Sequence, residues 1–257
     1  MTSDYDALLN TVSTMGVQML ESGAEAYRVE DSLQRLCVAY GVETSEIFAI
    51  PSLLIVSFCD PEGHSHTRVR RLYHLGTDLW QVDRLNSLCR RVCQTCPPFP
   101  QVDGELAALA GQGGYPPAFQ MAGFALTAAF FALLFGGTVR DALCSSAAGI
   151  SVYLVKRPME KRRTNSFFVN AVCSMAAALV AVAGVSLGLG QNRDLVIIGA
   201  FMGLVPGVAL TNFMRDVLAG DLFSGITKLT ESLFTATAIA IGAGIALSLA
   251  RYFGGAV

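Results

Sequence analysis

LVPGVALTNFMRDVLAGDLFSGITKLTESLF, Leu204 to Phe234, is the stretch on which the reading of this chain turns. It sets Arg215, Asp216, Asp221, Lys228 and Glu231 between two apolar runs long enough to cross a bilayer. A charged side chain at membrane depth costs roughly 2.5–3.5 kcal/mol on insertion scales, so such groups line a polar path or pair with one another. The segment predicts that something polar crosses the membrane here.

Helical spacing sorts these groups. Asn212 shares a face with Arg215 and Asp216 at the end of one apolar run. In the next, Asp221, Ser224, Gly225, Lys228, Glu231 and Thr235 follow three- and four-residue steps and form a polar stripe. A stripe of that kind is expected to face the bundle interior or a partner. Two readings stay open: a polar path, or an internal network of Arg215–Asp216–Asp221 and Lys228–Glu231 that only holds helices together. Upstream, Pro206-Gly207 interrupts the backbone hydrogen bonding of the run. A broken helix at membrane depth is tolerated where it is buried in protein or lines water, as in transporter binding sites. A packing kink is the alternative. Gly199, Gly203 and Gly207 recur every four residues and predict a smooth face for close helix approach. Asn170, Ser174 and Gln120 are further polar groups within the apolar runs.

Composition points to the same class. Hydrophobic residues are 53% of the chain and charged ones 15%, against about 25% charged in soluble domains. A net charge of -2 implies no nucleic-acid partner. The expected fold is an α-helical integral membrane protein with an N-terminal cytosolic α+β domain over residues 1–115 and a transmembrane domain over 116–257. MTSDYDALLN has neither a basic start nor an apolar core, so the leading domain is expected to stay on the side where it is made.

Within that domain, helical periodicity runs from about Tyr5 to Tyr40 with a break at Ser22-Gly23. Glu46–Ile50, Leu53–Cys59 and Thr67–Leu72 read as strands, the last with exposed arginines, around a DPEGHS turn. A helix follows from about Asp78 to Val92 and is closed by CPPFP, Cys96 to Pro100. Glu25 and Arg28 stand at ion-pair spacing on a helix, a local stabilisation by default. Seven cysteines, an odd count, argue against a disulfide framework. Cys89, Cys93 and Cys96 lack a fourth ligand at finger-like spacing, the nearest histidine being His74, so no metal is expected.

About five membrane spans are expected, near Ala118–Phe135, Thr138–Val155, Ser166–Leu189, Leu195–Phe213 and Leu222–Tyr252. KRPMEKRR, Lys156 to Arg163, has five basic residues among eight and belongs in the cytoplasm with the N-terminal domain. The C-terminus is then extracytoplasmic. The chain has no GxxxxGK followed by Ser or Thr, no HExxH and no GxSxG. No catalytic residues and no cofactor are assigned, and transport driven by a gradient is expected.

Two regions resemble the threonine/serine exporter family. One is LESGAEAYRVEDSLQRLCVAYG (Leu20–Gly41) with TRVRRL (Thr67–Leu72) and GTDLWQVDRLNSLCRRV (Gly76–Val92); the other is LVPGVALTNFMRDVLAGDLFSGITKLTESL (Leu204–Leu233). The resemblance implies a secondary exporter of small polar metabolites in the plasma (inner) membrane, driven by the proton-motive force. The chain is similar to the first half of fused members, which implies a second, smaller membrane subunit and an oligomer. Split relatives include a two-component succinate exporter, so threonine or serine and a dicarboxylate are both candidate substrates. The mixed charges of Arg215, Asp221 and Glu231 suit a zwitterion slightly better. The expected roles are substrate binding for Asn212, Arg215 and Lys228, and proton coupling for Asp216, Asp221 and Glu231. A non-transporting membrane sensor or scaffold is the rival reading.

Overall fold

A computed structural model describes residues 2–73, 76–112, 114–162 and 164–254. His74 and Arg163, which entered the metal and orientation arguments, lie outside the described residues. The chain forms two compact units, one of Met1–Gly114 with Thr211–Lys228, the other of Tyr115–Leu210 with Leu229–Val257.

The first unit starts with α1 (Thr2–Glu21) and α2 (Ala26–Ala39). The break falls where Ser22-Gly23 predicts it. Gly23 has φ +91°, and the amides of Gly23 and Ala24 reach back to the carbonyls of Leu20 and Met19. This is a left-handed helix stop that a residue with a Cβ adopts only under strain. Strands β1 (Ser45–Ile50), β2 (Leu53–Cys59) and β3 (Ser65–Arg71) make an antiparallel sheet in sequence order. Leu54, Val56 and Phe58 alternate inward from β2 and join Leu8, Val12 and Met15 of α1 and Leu33 and Leu36 of α2 in the core. Each such side chain contributes about 1.5–3 kcal/mol on burial.

β3 departs from the expected pattern. Arg68 and Arg70 pair with Val56 and Leu54 on the inward-facing row and are half covered, while Val69 is exposed. The Asn10 side chain explains part of this, since its Oδ1 accepts from Arg68 at 3.0 Å. The sequence also predicts that the domain's last helix ends at CPPFP, with no helix after it. In the structure α3 (Leu79–Thr95) stops at Cys96, and α4 (Phe99–Gly111) starts at once, burying Val102 and Leu106. Pro98 precedes α4 and Pro100 sits in its first turn, where proline's missing N–H costs nothing.

The β2–β3 turn is organised by Asp60. Its Oδ1 accepts from the amides of Glu62 and His64, and its Oδ2 lies 3.2 Å from His64 Nδ1 and 3.3 Å from His66 Nε2. Burial pushes the Asp60 carboxyl up, but hydrogen bonds from the His64 backbone and the His66 and His64 rings outweigh it and hold it down at about 2. Because the folded value is depressed, the stabilisation is complete above the ordinary value of 3.8 and is lost as pH falls through about 2. Thermal midpoints of the wild type and Asp60→Asn should therefore differ at neutral pH and converge as pH falls toward that value.

The second unit holds α5 (Pro117–Leu134), α6 (Val139–Lys161), α7 (Ser166–Ser186), α8 (Arg193–Phe201) and most of α10 (Leu222–Gly254), with α9 (Gly207–Leu218) starting in it. Among the described residues three helices, α5, α7 and α10, are long and apolar enough to cross a membrane. With the helical content, this makes the chain a helical membrane protein. α6 has the length, at 23 residues, but carries Arg140, Asp141, Lys156, Arg157, Glu160 and Lys161. The expected fourth span, Leu195–Phe213, is not one helix: α8 has 9 residues and α9 has 12, each short of the roughly 20 a bilayer requires.

Small residues and a few buried polar groups set the packing. Ser145 Oγ on α6 is 3.0 Å from the Ala128 carbonyl of α5 and 3.1 Å from the Val196 carbonyl of α8. Asp141 forms a capping box with Thr138 and also accepts from the amides of Gln191 and Asn192 at 2.6 and 2.9 Å. Its buried charge is thereby met by donors, and the chain entering α8 is held to the start of α6. A Cβ on Gly199 would lie 2.6 Å from the Ala128 carbonyl oxygen, and one on Gly203 would lie 3.0 Å from the Phe124 ring. A Cβ on Gly207, beyond the break, would meet nothing within 4 Å. The smooth face therefore comprises Gly199 and Gly203 and stops short of Gly207.

Candidate functional site

The charged residues lie on a helical hairpin made by the end of α9 and the start of α10. Between α8 and α9 the chain runs as a turn over residues 202–206, and Pro206 begins α9 by accepting from the Leu210 amide at 3.0 Å. Pro206 and Gly207 thus stand at a true helix break. At the other end Gly220, with φ +91°, stops α9. Its amide bonds to the Val217 carbonyl and that of Asp221 to the Asp216 carbonyl, satisfying carbonyls the helix leaves open. Asp221 Oδ1 then accepts from the Ser224 amide at 3.1 Å and caps α10. Gly225 lets the two helices close, since a Cβ there would lie 2.6 Å from the Val217 side chain.

This geometry separates neighbours that the spacing had grouped. Asp216 turns inward: its side chain is 1% exposed, and its Oδ2 accepts from Lys228 Nζ at 2.6 Å. Arg215 turns outward and is 50% exposed. Asn212 is half-buried nearby on α9. The ion pairs differ from the expected network. Lys228 pairs with Asp216 across the hairpin, and Arg215 pairs with Glu25 of the N-terminal unit. Two buried polar atoms, Asp216 Oδ1 and Ser224 Oγ, have no hydrogen-bond partner among the described residues. The buried row of α10 runs Ser224, Ser232, Ala238, Gly242 and Ala246, with Lys228 mostly covered between the first two. Glu231 lies off that row and is exposed.

Glu25 is the residue that the sequence reading undervalued. It makes the expected pair with Arg28, at 2.8 Å, and holds Arg215 as well. Spacing within one helix finds the first partner; nothing local signals a second one 190 residues away. One turn further along α2, Glu30 accepts from the Ala49 amide at 2.7 Å. Burial, opposed by that hydrogen bond and assisted by the Asp221 carboxylate, raises its carboxyl.

Two other places contain ligand-type chemistry. A cavity of about 380 Å³ lies at the C-terminal end of α10, lined among others by Ser186, Asn192, Arg193, Asp194 and Arg251. Among the described residues, Asp60, Glu62 and His64 are the three metal-type donors that approach one another. The cysteine group is occupied differently: Cys89 Sγ is 3.6 Å from the Ser32 carbonyl and Cys96 Sγ is 3.2 Å from that of Ala39. Burial pushes the Cys89 thiol up to about 12, away from the thiolate that metal binding requires.

Comparison with known proteins adds the family. The family described as "Putative threonine/serine exporter" matches residues 10–250. A protein of Mycobacterium tuberculosis (strain ATCC 25618 / H37Rv) named "Probable threonine/serine exporter" is 23% identical over 231 residues. That match covers 89% of this chain but 44% of the relative, so the chain spans less than half of that protein's length. No solved structure matches. With the match running from the first core helix to the last turns of α10, this chain belongs to the threonine/serine exporter family.

Proposed function

We propose that this chain is a membrane subunit of a secondary exporter of small polar metabolites, threonine or serine first among them, dependent on the proton-motive force. The observation that supports this most is the hairpin. A buried Lys228–Asp216 pair and an outward-facing Arg215 follow directly on a helix break, in a chain with bilayer-length apolar helices. In this reading Arg215 binds the substrate carboxylate, with Asn212 orienting its polar head and Lys228 supporting the site. Asp216 exchanges the coupling proton: its protonation releases Lys228, and its deprotonation recaptures it. Asp221 and Glu231 are the further carboxylates of the proton path. The protein spans the plasma membrane about five times, with the N-terminal unit cytoplasmic and the C-terminus outside. It works with a second, smaller membrane subunit of inverted topology in an oligomer. No catalytic residue and no cofactor take part.

The dicarboxylate alternative rests on the same arginine, since succinate also presents a carboxylate. The sensor or scaffold reading treats the hairpin as structural. All three separate in proteoliposomes loaded with labelled threonine, serine or succinate. The chain is tested alone and with a second-half subunit, with and without a pH gradient. Gradient-dependent efflux only with the partner supports the split exporter and names the substrate; no flux from correctly inserted protein overturns the exporter reading. Arg215→Gln is expected to lower transport kcat/KM roughly ten- to a hundred-fold, the loss of one charge-assisted contact of about 1.5–3 kcal/mol. Unaltered kinetics in this variant would remove Arg215 from the binding role.

A further inference from the structure

We propose that Glu25 is a tethered stand-in for the substrate carboxylate. It occupies Arg215 while the site is empty and yields to substrate, which makes α2 the gate of the site. The proposal rests on the reading of Arg215 as the substrate's carboxylate partner.

The position of Glu25 in its helix is the first support. It is the residue at the N-terminal cap of α2, where side-chain oxygens commonly bond the helix's own free amides. Its backbone is extended, with φ -70° and ψ 133°, and its carbonyl accepts from Arg28 and Val29, yet its side chain makes no capping bond. The carboxylate is instead directed to two guanidinium groups, those of Arg28 and Arg215.

The exposures are the second support. Glu25 is the covered member of the triad, 10% exposed, whereas Arg28 and Arg215 are each half open to the outside. A guanidinium has five donors in a planar fork, so one carboxylate does not exhaust it. An incoming carboxylate can therefore engage Arg215 before Glu25 has left. Glu25 then retains Arg28 at 2.8 Å, so its release does not strand a buried charge.

The balance of charge along the seam is the third. Beside the attraction of Glu25 for Arg215, burial and the Asp221 carboxylate raise the carboxyl of Glu30, about one turn further along α2. Attraction and repulsion on adjacent turns of one helix make a contact that can open. Lys228 is mostly covered and pairs with Asp216 inside the hairpin, whereas Arg215 is half open, so Arg215 is the cation on which a substrate and α2 compete.

The test measures equilibrium binding of labelled threonine, serine and succinate to the full chain, with its second subunit where that is needed for binding. Wild type is compared with Glu25→Gln, Arg215→Gln and the double variant. If Glu25 holds Arg215 in most of the empty molecules, apparent affinity is reduced by the competent fraction, and Glu25→Gln tightens binding roughly three- to ten-fold. The expected pattern is tighter binding in Glu25→Gln, lost binding in Arg215→Gln, and no rescue in the double variant. Unchanged or weaker binding in a folded Glu25→Gln overturns the gate while leaving Arg215 as the substrate's partner. Wild-type binding in Arg215→Gln overturns the parent reading and the gate together. Should Glu25→Gln fail to fold, Glu25→Asp, which keeps the charge but shortens its reach, carries the test; tighter binding supports the gate and unchanged binding overturns it.

Discussion

Replacing Lys228 with methionine is expected to abolish export and to destabilise the folded protein by about 3–5 kcal/mol, the range found when one partner of a buried ion pair is removed. Asp216 would be left 1% exposed with no cation, and its Oδ1 already has no hydrogen-bond partner among the described residues. A carboxylate in that position either takes up a proton or draws water into the hairpin, and both loosen the approach of α9 to α10 that Gly225 permits. Asp216→Asn combined with Lys228→Met removes both charges. Stability should then return to within about 1–2 kcal/mol of wild type, because neutral replacements of a buried pair are often tolerated. Transport should not return. Thermal unfolding in detergent and gradient-driven efflux, measured on the same preparations, read the two effects separately. Efflux from the double variant at the wild-type rate would make the pair purely structural and take Asp216 out of the coupling role.

That separation of stability from transport parallels what sequence could and could not disclose about the hairpin. The Pro206-Gly207 break, the Gly220 stop and the Asp221 cap are local backbone chemistry, and the residue types announce them. Periodicity also placed Asn212, Arg215 and Asp216 together at the end of α9. It could not say that the adjacent Arg215 and Asp216 divide, one outward and one inward, since consecutive helical residues point about 100° apart and the direction of the core is a tertiary fact. The same limit applies to Glu231. It continues the three- and four-residue steps from Asp221, but the covered row passes through Ser232 instead. Ion-pair partners were hardest to read. Lys228 lies three residues from Glu231 and twelve from Asp216, and the hairpin brings the distant Asp216 to 2.6 Å. Glu25 finds Arg215 by chain folding alone. In the N-terminal unit the three strands and the break at Ser22-Gly23 were legible from residue types, while α4 was hidden because CPPFP signals an ending although proline also begins helices.

The largest purely structural effect is expected at Gly242, where substitution by valine should prevent α7 and α10 from packing and leave little monodisperse protein after extraction. A Cβ at this position would lie 2.0 Å from the Ala171 carbonyl oxygen and 2.1 Å from Ser174 Oγ. The first of these is backbone within α7 and cannot move without the helix; the second is fixed by its own bond to the same carbonyl, at 3.0 Å. Overpacking of a fitted interior costs about 1–3 kcal/mol or more, and here even alanine meets the carbonyl. Alanine at Gly242 should therefore cost at least about 2 kcal/mol, and valine, with two further methyl groups, more than the interface can absorb. Gly244 supplies the control. It lies two residues on, in the same helix, with nothing within 4 Å of its would-be Cβ. Gly244→Ala should leave packing untouched and gain about 0.8–1 kcal/mol from helix propensity. Size-exclusion profiles and thermal midpoints in one detergent compare the three variants directly. If Gly242→Val behaves like Gly244→Ala, α10 does not lie against α7 at this glycine. If Gly242→Val alone collapses, close backbone approach of α7 and α10 is what holds the last bilayer-length helix in place.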